Sequence, residues 1–285
     1  MNLKHFGSLG LVIALSTSSM SLVFSILFLN IISIPLFICV FLATYAFYAI
    51  DRVMGIESDK ISRPDRSEFF SVYRKEIYVT ILLAIGGSIS ICAMISLRLA
   101  LLVAISPLIA LLYSFGLSGG RRRVRAFGIK GAPLLKDAFI AAGWAFLLPF
   151  TFLFLKSPIE LEHWIFAVPL YLKLFVMAVI YDFKDIESDT ETGVRTLPII
   201  IGESRAKTVL HILNVVATVL IIIMVGLAMV PILGLIFIPA FFYQGLNIYL
   251  LHKDAPDWVY YVLADLEQFF WLIFIIIGGV MLGSV

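Results

Sequence analysis

The length of its apolar runs constrains this chain more than any other feature. Nine stretches, at roughly 8–28, 32–50, 76–95, 98–117, 137–155, 163–181, 208–226, 229–250 and 258–282, approach the 20 or so apolar residues that a helix needs to cross a bilayer. A membrane barrel would show shorter segments that alternate apolar and polar residues. A composition 61% hydrophobic and 14% charged, with mean hydropathy +1.05, excludes an ordinary soluble domain. The expectation is an all-α, polytopic membrane protein forming one membrane domain over residues 1–285. Spans seven and eight are separated only around Pro231, so eight spans is an alternative. The first run starts weakly basic at Lys4 and shows no clear cleavage site, which reads as a retained span. Cys39 and Cys92 both lie inside apolar runs and read as core residues.

Charge placement supports the count. With nine spans, 18 of the 21 Lys and Arg fall on the face that holds the N-terminus and the loops after spans two, four, six and eight. Arg98 and Lys156 fall on the other face, and Lys173 lies within span six. The positive-inside rule makes the first face cytoplasmic. Localisation is therefore expected in the cell membrane, with the working surface toward the cytoplasm. Carboxylates gather on the same face, which that rule does not explain. Asp51, Glu57, Asp59 and Asp65 follow span two; Asp182, Asp185, Glu187, Asp189 and Glu191 follow span six. Each cluster is trailed by an arginine and a proline, Arg63-Pro64 and Arg195 to Pro198. This weak repeat predicts two pseudo-equivalent halves, with acidic segments at 51–66 and 182–198 that face each other across a cavity.

The run Asp182-Phe-Lys-Asp185-Ile-Glu-Ser-Asp189 spaces three aspartates three and four residues apart. On a helix such residues share a face, and converged carboxylates repel unless a cation neutralises them. Mg²⁺ takes oxygen ligands, using one or two carboxylates together with substrate phosphates and waters. Nearby Arg and Lys add phosphate contacts. Such a site suits an allylic diphosphate ester: metal and basic groups at the leaving diphosphate stabilise the charge that grows as the carbon–oxygen bond breaks. The simpler reading of the same run is an acidic helix end facing water. The charges inside spans read differently. Lys173 lies nine residues before Asp182, about half a turn out of phase at roughly 100° per residue, and reads as an interhelical partner. Asp265 is placed to join the rim of the site.

The stretch from Asp182 to Gly202, including Arg195-Thr-Leu-Pro198, resembles the second aspartate-rich motif of the UbiA superfamily of intramembrane prenyltransferases. Asp59-Lys-Ile-Ser-Arg63-Pro64-Asp65-Arg66 resembles the end of the first motif. Tyr113-Ser114 through Lys136-Asp137 resembles the loop after span four, which in that family usually reads Tyr-Ser followed later by Lys-Asn. The resemblance covers nearly the whole chain. It implies nine helices around a central cavity open to the cytoplasmic face. It also implies Mg²⁺-dependent transfer of a polyprenyl group from its diphosphate to a lipophilic acceptor. Metal ligands would be Asp51, Asp59, Asp182, Asp185 and Asp189, and substrate would be contacted by Arg52, Arg63, Tyr113, Lys136 and Arg195. The bilayer is the other implied partner, and no nucleic acid is expected. The acceptor could be an aromatic or quinone precursor or a glycerol-phosphate ether lipid, with a slight lean to geranylgeranyl transfer onto the latter. The first motif departs from the family pattern, with Arg52 and Gly55 where aspartates are usual. Asp51 and Asp59 can then meet one metal only if their helix ends or bends between them, and Gly55 is a plausible place. The competing classes are a transporter with a cytoplasm-facing ion or anion site and a relative that cyclises the prenyl chain.

Overall fold

The computed structural model describes residues 10–56, 64–114, 134–192, 194–252, 255–256 and 258–283. Among these the elements are helical, with no strand. Helix α1 (Leu11–Leu29) and α2 (Ile34–Met54) are followed by α3 (Pro64–Val72), α4 (Arg74–Ile95), α5 (Leu97–Ala104) and α6 (Ser106–Ser114). The second half holds α7 (Leu135–Ala145), α8 (Leu147–Phe154), α9 (Leu161–Ile180), α10 (Ile186–Thr192) and α11 (Leu197–Ile201). It continues with α12 (Glu203–Gly226), α13 (Phe237–Leu250) and α14 (Glu267–Leu282).

Seven segments are long and apolar enough to cross a membrane: α1, α2, α4, the α7–α8 pair, α9 with its terminal turn, α12, and the segment ending in α13. The fourth and ninth expected spans fall short of that length, at Leu97–Leu112 and Glu267–Leu282. The reason is local in both. The fourth is interrupted at Ile105, where Ser106-Pro107 restarts a helix, as Pro favours a first turn. The ninth is divided, a π-helical turn over Val259–Ala264 preceding α14, with the carboxylate of Asp265 at the joint.

The helices pack side by side. α2 packs on α1 and α4, and α1 also packs on α8 and α14. α14 then meets α13, α13 meets α12, α12 meets α9, and α9 meets α7. Helix α1 is the most enclosed, with 78% of its span buried against 28% for α4 and 33% for α12. Its sequence explains this. Ser16, Ser18, Ser19, Ser21 and Ser25 are small, so neighbours approach closely. Four of their hydroxyls return to the backbone: Ser18 to Ala14 O at 2.7 Å, Ser19 to Leu15 O at 2.8 Å, Ser21 to Ser18 O at 2.7 Å and Ser25 to Leu22 O at 3.0 Å. No donor is left facing an apolar neighbour at those positions. By contrast α4 and α12 expose Leu82, Leu83, Ile222 and Ile223, side chains suited to lipid.

Lys173 behaves as its phase predicts. It is fully buried and donates to Asn214 Oδ1 at 2.8 Å, and at 3.4 Å to Thr218 Oγ1 and Gln244 Oε1. Gln244 Nε2 in turn donates to Glu267 Oε1 at 3.0 Å. A charge in the apolar layer is tolerated only when so partnered, and this network ties α9, α12, α13 and α14 together.

Candidate functional site

The site is built where α9 ends. The helix tightens into a 3-10 turn at Tyr181–Phe183 and the chain restarts as α10 at Ile186. Phe183 anchors the break: it is fully buried in a cluster with Leu197, Ala206, Leu210 and Tyr260. On one continuous helix Asp182 and Asp189 would stand about 10 Å apart along the axis. The break instead lets both reach Lys136, in the first turn of α7, which packs along α9. Lys136 Nζ lies 2.6 Å from Asp182 Oδ1 and 3.8 Å from Asp189 Oδ2. The pair is sheltered, with side-chain exposures of 18% for Lys136 and 2% for Asp182. Asp137 is buried beside it, close enough to Asp182 for the two carboxyls to interact.

The sequence spacing predicts convergence of all three aspartates of the second motif. The structure brings Asp182 and Asp189 together on Lys136, while Asp185 is half-buried on the side of Tyr260. Arg195 is exposed in the segment before α11. The tail of the motif is shaped by Gly202, whose φ of +83° lets the chain turn from α11 into α12, a conformation costly for any residue with a Cβ.

The first acidic segment lies at the same end of the molecule. Helix α2 stops at Met54 with Gly55 as its cap, and Gly55 N–H donates to Asp51 O at 2.9 Å. The helix thus ends where Asp51 and Asp59 would need it to. Asp51 and Arg52 are half-buried in its last turn. Arg52 folds over the start of α1: a Cβ on Gly10, which has φ +75°, would lie 3.1 Å from Arg52 Nη1 and 3.2 Å from Tyr48 Cβ. Tyr48 feels the charges of Asp51, Arg52 and Asp265. Asp265 in turn accepts a 2.6 Å hydrogen bond from Tyr181, the residue before Asp182. Asp265 thus lies between Tyr48, near the end of α2, and Tyr181, just before Asp182. Tyr113 stands in the last turn of α6. Asp59 and Arg63 lie outside the described residues.

The donor set is all oxygen, the ligand type a hard dication takes, and it is closed on the Lys136 ammonium. The described carboxylates around Lys136 are Asp137, Asp182 and Asp189, three negative charges against one positive when ionised. Oδ2 of Asp137 and Oδ2 of Asp182 are buried and accept no hydrogen bond among the described residues, while the two side chains bond to each other. These carboxylates are arranged about the Lys136 ammonium, and among the described residues no three His, Cys, Asp or Glu side chains form a metal-ligand group. The expected ligand set of Asp51, Asp59, Asp182, Asp185 and Asp189 spans both segments, and its Asp59 lies outside the described residues.

Asp137 is not among the site residues expected from the sequence, which takes it only as the end of the loop resembling the stretch after span four. Sequence reasoning also missed Asn214 and Gln244, the partners of Lys173, although uncharged polar residues inside apolar runs were a usable signal for both.

A model of the UbiA prenyltransferase family matches residues 9–274. No curated protein matches the sequence significantly. Several solved structures share the fold. A UbiA homologue from Archaeoglobus fulgidus bound to GPP and Mg²⁺ superposes with a TM-score of 0.68 at 11% identity, covering 96% of this chain and 98% of that one. A UbiA homologue from Aeropyrum pernix K1 gives 0.66 at 13% identity, with 100% of both chains covered. A digeranylgeranylglyceryl phosphate synthase gives 0.61 at 18% identity, covering 98% of this chain and 99% of that one.

Proposed function

This chain belongs to the UbiA prenyltransferase family, and on that premise we propose that it transfers a polyprenyl group from its diphosphate to a lipophilic acceptor, with Mg²⁺. The observation that carries the reading is the convergence of Lys136 with Asp182 and Asp189 at a helix break sheltered from solvent. The roles below are those this reading gives each side chain. Asp182, Asp185 and Asp189 would hold the metal from one half of the chain, and Asp51 and Asp59 from the other. When bound, Mg²⁺ supplies charge neutralisation for the diphosphate and weakens the bond from its bridging oxygen to the allylic carbon.

Lys136 keeps its ammonium at the carboxylates and donates to diphosphate oxygens, where negative charge grows as the ester ionises. Arg52, Arg63 and Arg195 contribute further phosphate contacts, and Tyr113 lines the pocket. Ionisation leaves an allylic cation, which the acceptor attacks; a proton is then lost from the adduct. Water must be kept from that cation, and an apolar surround of nine helices about a central cavity provides this. Both acidic segments fall on the basic face, so the reading puts the site toward the cytoplasm. Two pseudo-equivalent halves, each delivering one acidic segment, complete it.

Two acceptor classes stay within the reading, a glyceryl phosphate ether, in line with the digeranylgeranylglyceryl phosphate synthase of the same fold, and a quinone precursor. The test is incubation of purified protein with Mg²⁺, labelled geranylgeranyl diphosphate and a panel of both acceptor classes. Acceptor-dependent labelled lipid and released diphosphate are expected. Transfer to none of them, with the diphosphate ester left intact, refutes the reading.

A further inference from the structure

We infer that Cys39 and Cys92 are a modification site, a thiol pair that closes to a disulfide joining α2 to α4; the inference is independent of the function proposed above. Their Sγ atoms lie 3.4 Å apart, on helices that pack along one another. The seam between these helices holds small side chains, Cys39, Ala43 and Ala46 of α2 and Ala84, Ser88 and Cys92 of α4, which let backbones approach closely. Two contacts show the approach. Cys39 Sγ lies 3.7 Å from Ser88 O, so the side chain of one helix reaches the backbone of the other. A Cβ on Gly87 would lie 3.0 Å from Leu42 Cδ1. Helices this close suit the Cα separation of roughly 4.4–6.8 Å that a disulfide spans. To bond, the sulfurs need to close by about 1.4 Å, from 3.4 Å to roughly 2.0 Å. The ordinary use of a buried cysteine is as a small apolar residue, but that use gives the two no reason to meet. They are the only cysteines among 285 residues. A buried residue touches about 6–12 others, so coincidence would set the second against the first in roughly 3% of cases.

Both thiols are fully buried, among Leu36, Leu99 and Phe150, so the oxidant must be apolar. Its class is an organic disulfide, which reacts by exchange. One cysteine, as thiolate, attacks the oxidant, whose S–S bond breaks and expels a thiol. The other cysteine then attacks the mixed disulfide at its partner's sulfur; the bond between Cys39 and Cys92 forms and the second thiol leaves. The cysteines give up two electrons, the oxidant takes them, and the two cysteine protons end on the released thiols. The bond ties the second turn of α2 to the last turn of α4. It sits about 18 Å along α2 from Asp51, at the end away from the acidic segments. With those segments toward the cytoplasm, the pair lies toward the other face, the side on which disulfides persist. The bond would close a loop of 53 residues, restricting the unfolded chain more than the folded one.

The probe is 4,4′-dithiodipyridine, an apolar disulfide whose thiopyridone product is read by absorbance. Added at one molecule per chain to reduced, folded wild-type protein in detergent, it should release both of its thiopyridones and leave no pyridyl label in the intact mass. Peptide mapping should then find Cys39 joined to Cys92. Cys39→Ser should release one thiopyridone and keep the label on Cys92. The oxidised protein should melt at least about 4 °C above the reduced one, and a reductant should reverse the shift. A label retained by wild type overturns the inference, because the sulfurs then react without bonding to each other. No reaction in the folded protein, under conditions that modify the unfolded chain, also overturns it. A linked pair with an unchanged melting temperature refutes the claim that the bond fastens α2 to α4. Should Cys39→Ser not fold, the label count and peptide map of wild type decide alone.

Discussion

Replacing Lys136 with methionine probes the site at its centre. The substitution keeps most of the side-chain volume and removes the charge. At an effective dielectric of about 20, an ammonium 2.6 Å from one carboxylate oxygen and 3.8 Å from another gains roughly 6 and 4 kcal/mol of attraction before desolvation is subtracted. The net cost of removal is smaller. Leaving a buried carboxylate without its cation typically costs about 3–5 kcal/mol, and the 18% exposure of Lys136 places this case near the lower end, at about 3 kcal/mol. For a chain of this size that corresponds to a fall in melting temperature of roughly 6–12 °C. The signature is its dependence on metal. In EDTA, Lys136→Met should melt well below wild type; millimolar Mg²⁺ should restore a large part of the loss, because a dication can serve the stranded carboxylates. Diphosphate release should still fall about a hundredfold or more, as when a donor to a developing oxyanion is removed. The assay is thermal unfolding in detergent with and without Mg²⁺, paired with diphosphate release. A Lys136→Met protein as stable as wild type in EDTA and indifferent to Mg²⁺ would refute the view that Lys136 holds these carboxylates together.

Further outcomes follow from other parts of the molecule. Lys173→Met should destabilise by about 3 kcal/mol through the stranded Glu267, and adding Glu267→Gln should recover much of it; a double-mutant cycle of thermal unfolding checks this. Gly10→Ala should cost about 1–2 kcal/mol, since φ is +75° and the new Cβ would meet Arg52 and Tyr48, and the same unfolding assay reads it. Tyr181→Phe should cost on the order of 1–2 kcal/mol, the worth of a hydrogen bond to a charged group, and lower the rate of diphosphate release by loosening the tie between Asp265 and the Asp182 turn; an unchanged rate would show that the tie does not position the site.

Much of the architecture is legible in the chain because a bilayer imposes a length. The apolar runs mark the helices, but they present the fourth and ninth as full spans, whereas Ser106-Pro107 restarts the one and a π-helical turn divides the other. The half-turn offset of Lys173 correctly sends it away from Asp182 and toward neighbouring helices. The candidate site is less legible, because it depends on a break. Spacings of three and four residues promise a shared face on a regular helix. Burial of Phe183 instead ends α9 at Ile180, so Asp189 comes within reach of Lys136 beside Asp182. That Asp137 lies against Asp182, 45 residues away in sequence, comes from the packing of α7 along α9.

Mg²⁺-dependent release of diphosphate by the purified protein tests the central claim most directly. Wild-type protein in detergent, given labelled geranylgeranyl diphosphate, an acceptor and Mg²⁺ with no ion gradient, should release diphosphate and form a prenylated lipid. EDTA should abolish both products, and Asp182→Asn should reduce both by at least about a hundredfold. Release at the wild-type rate by Asp182→Asn, or by wild type in EDTA, would contradict the account.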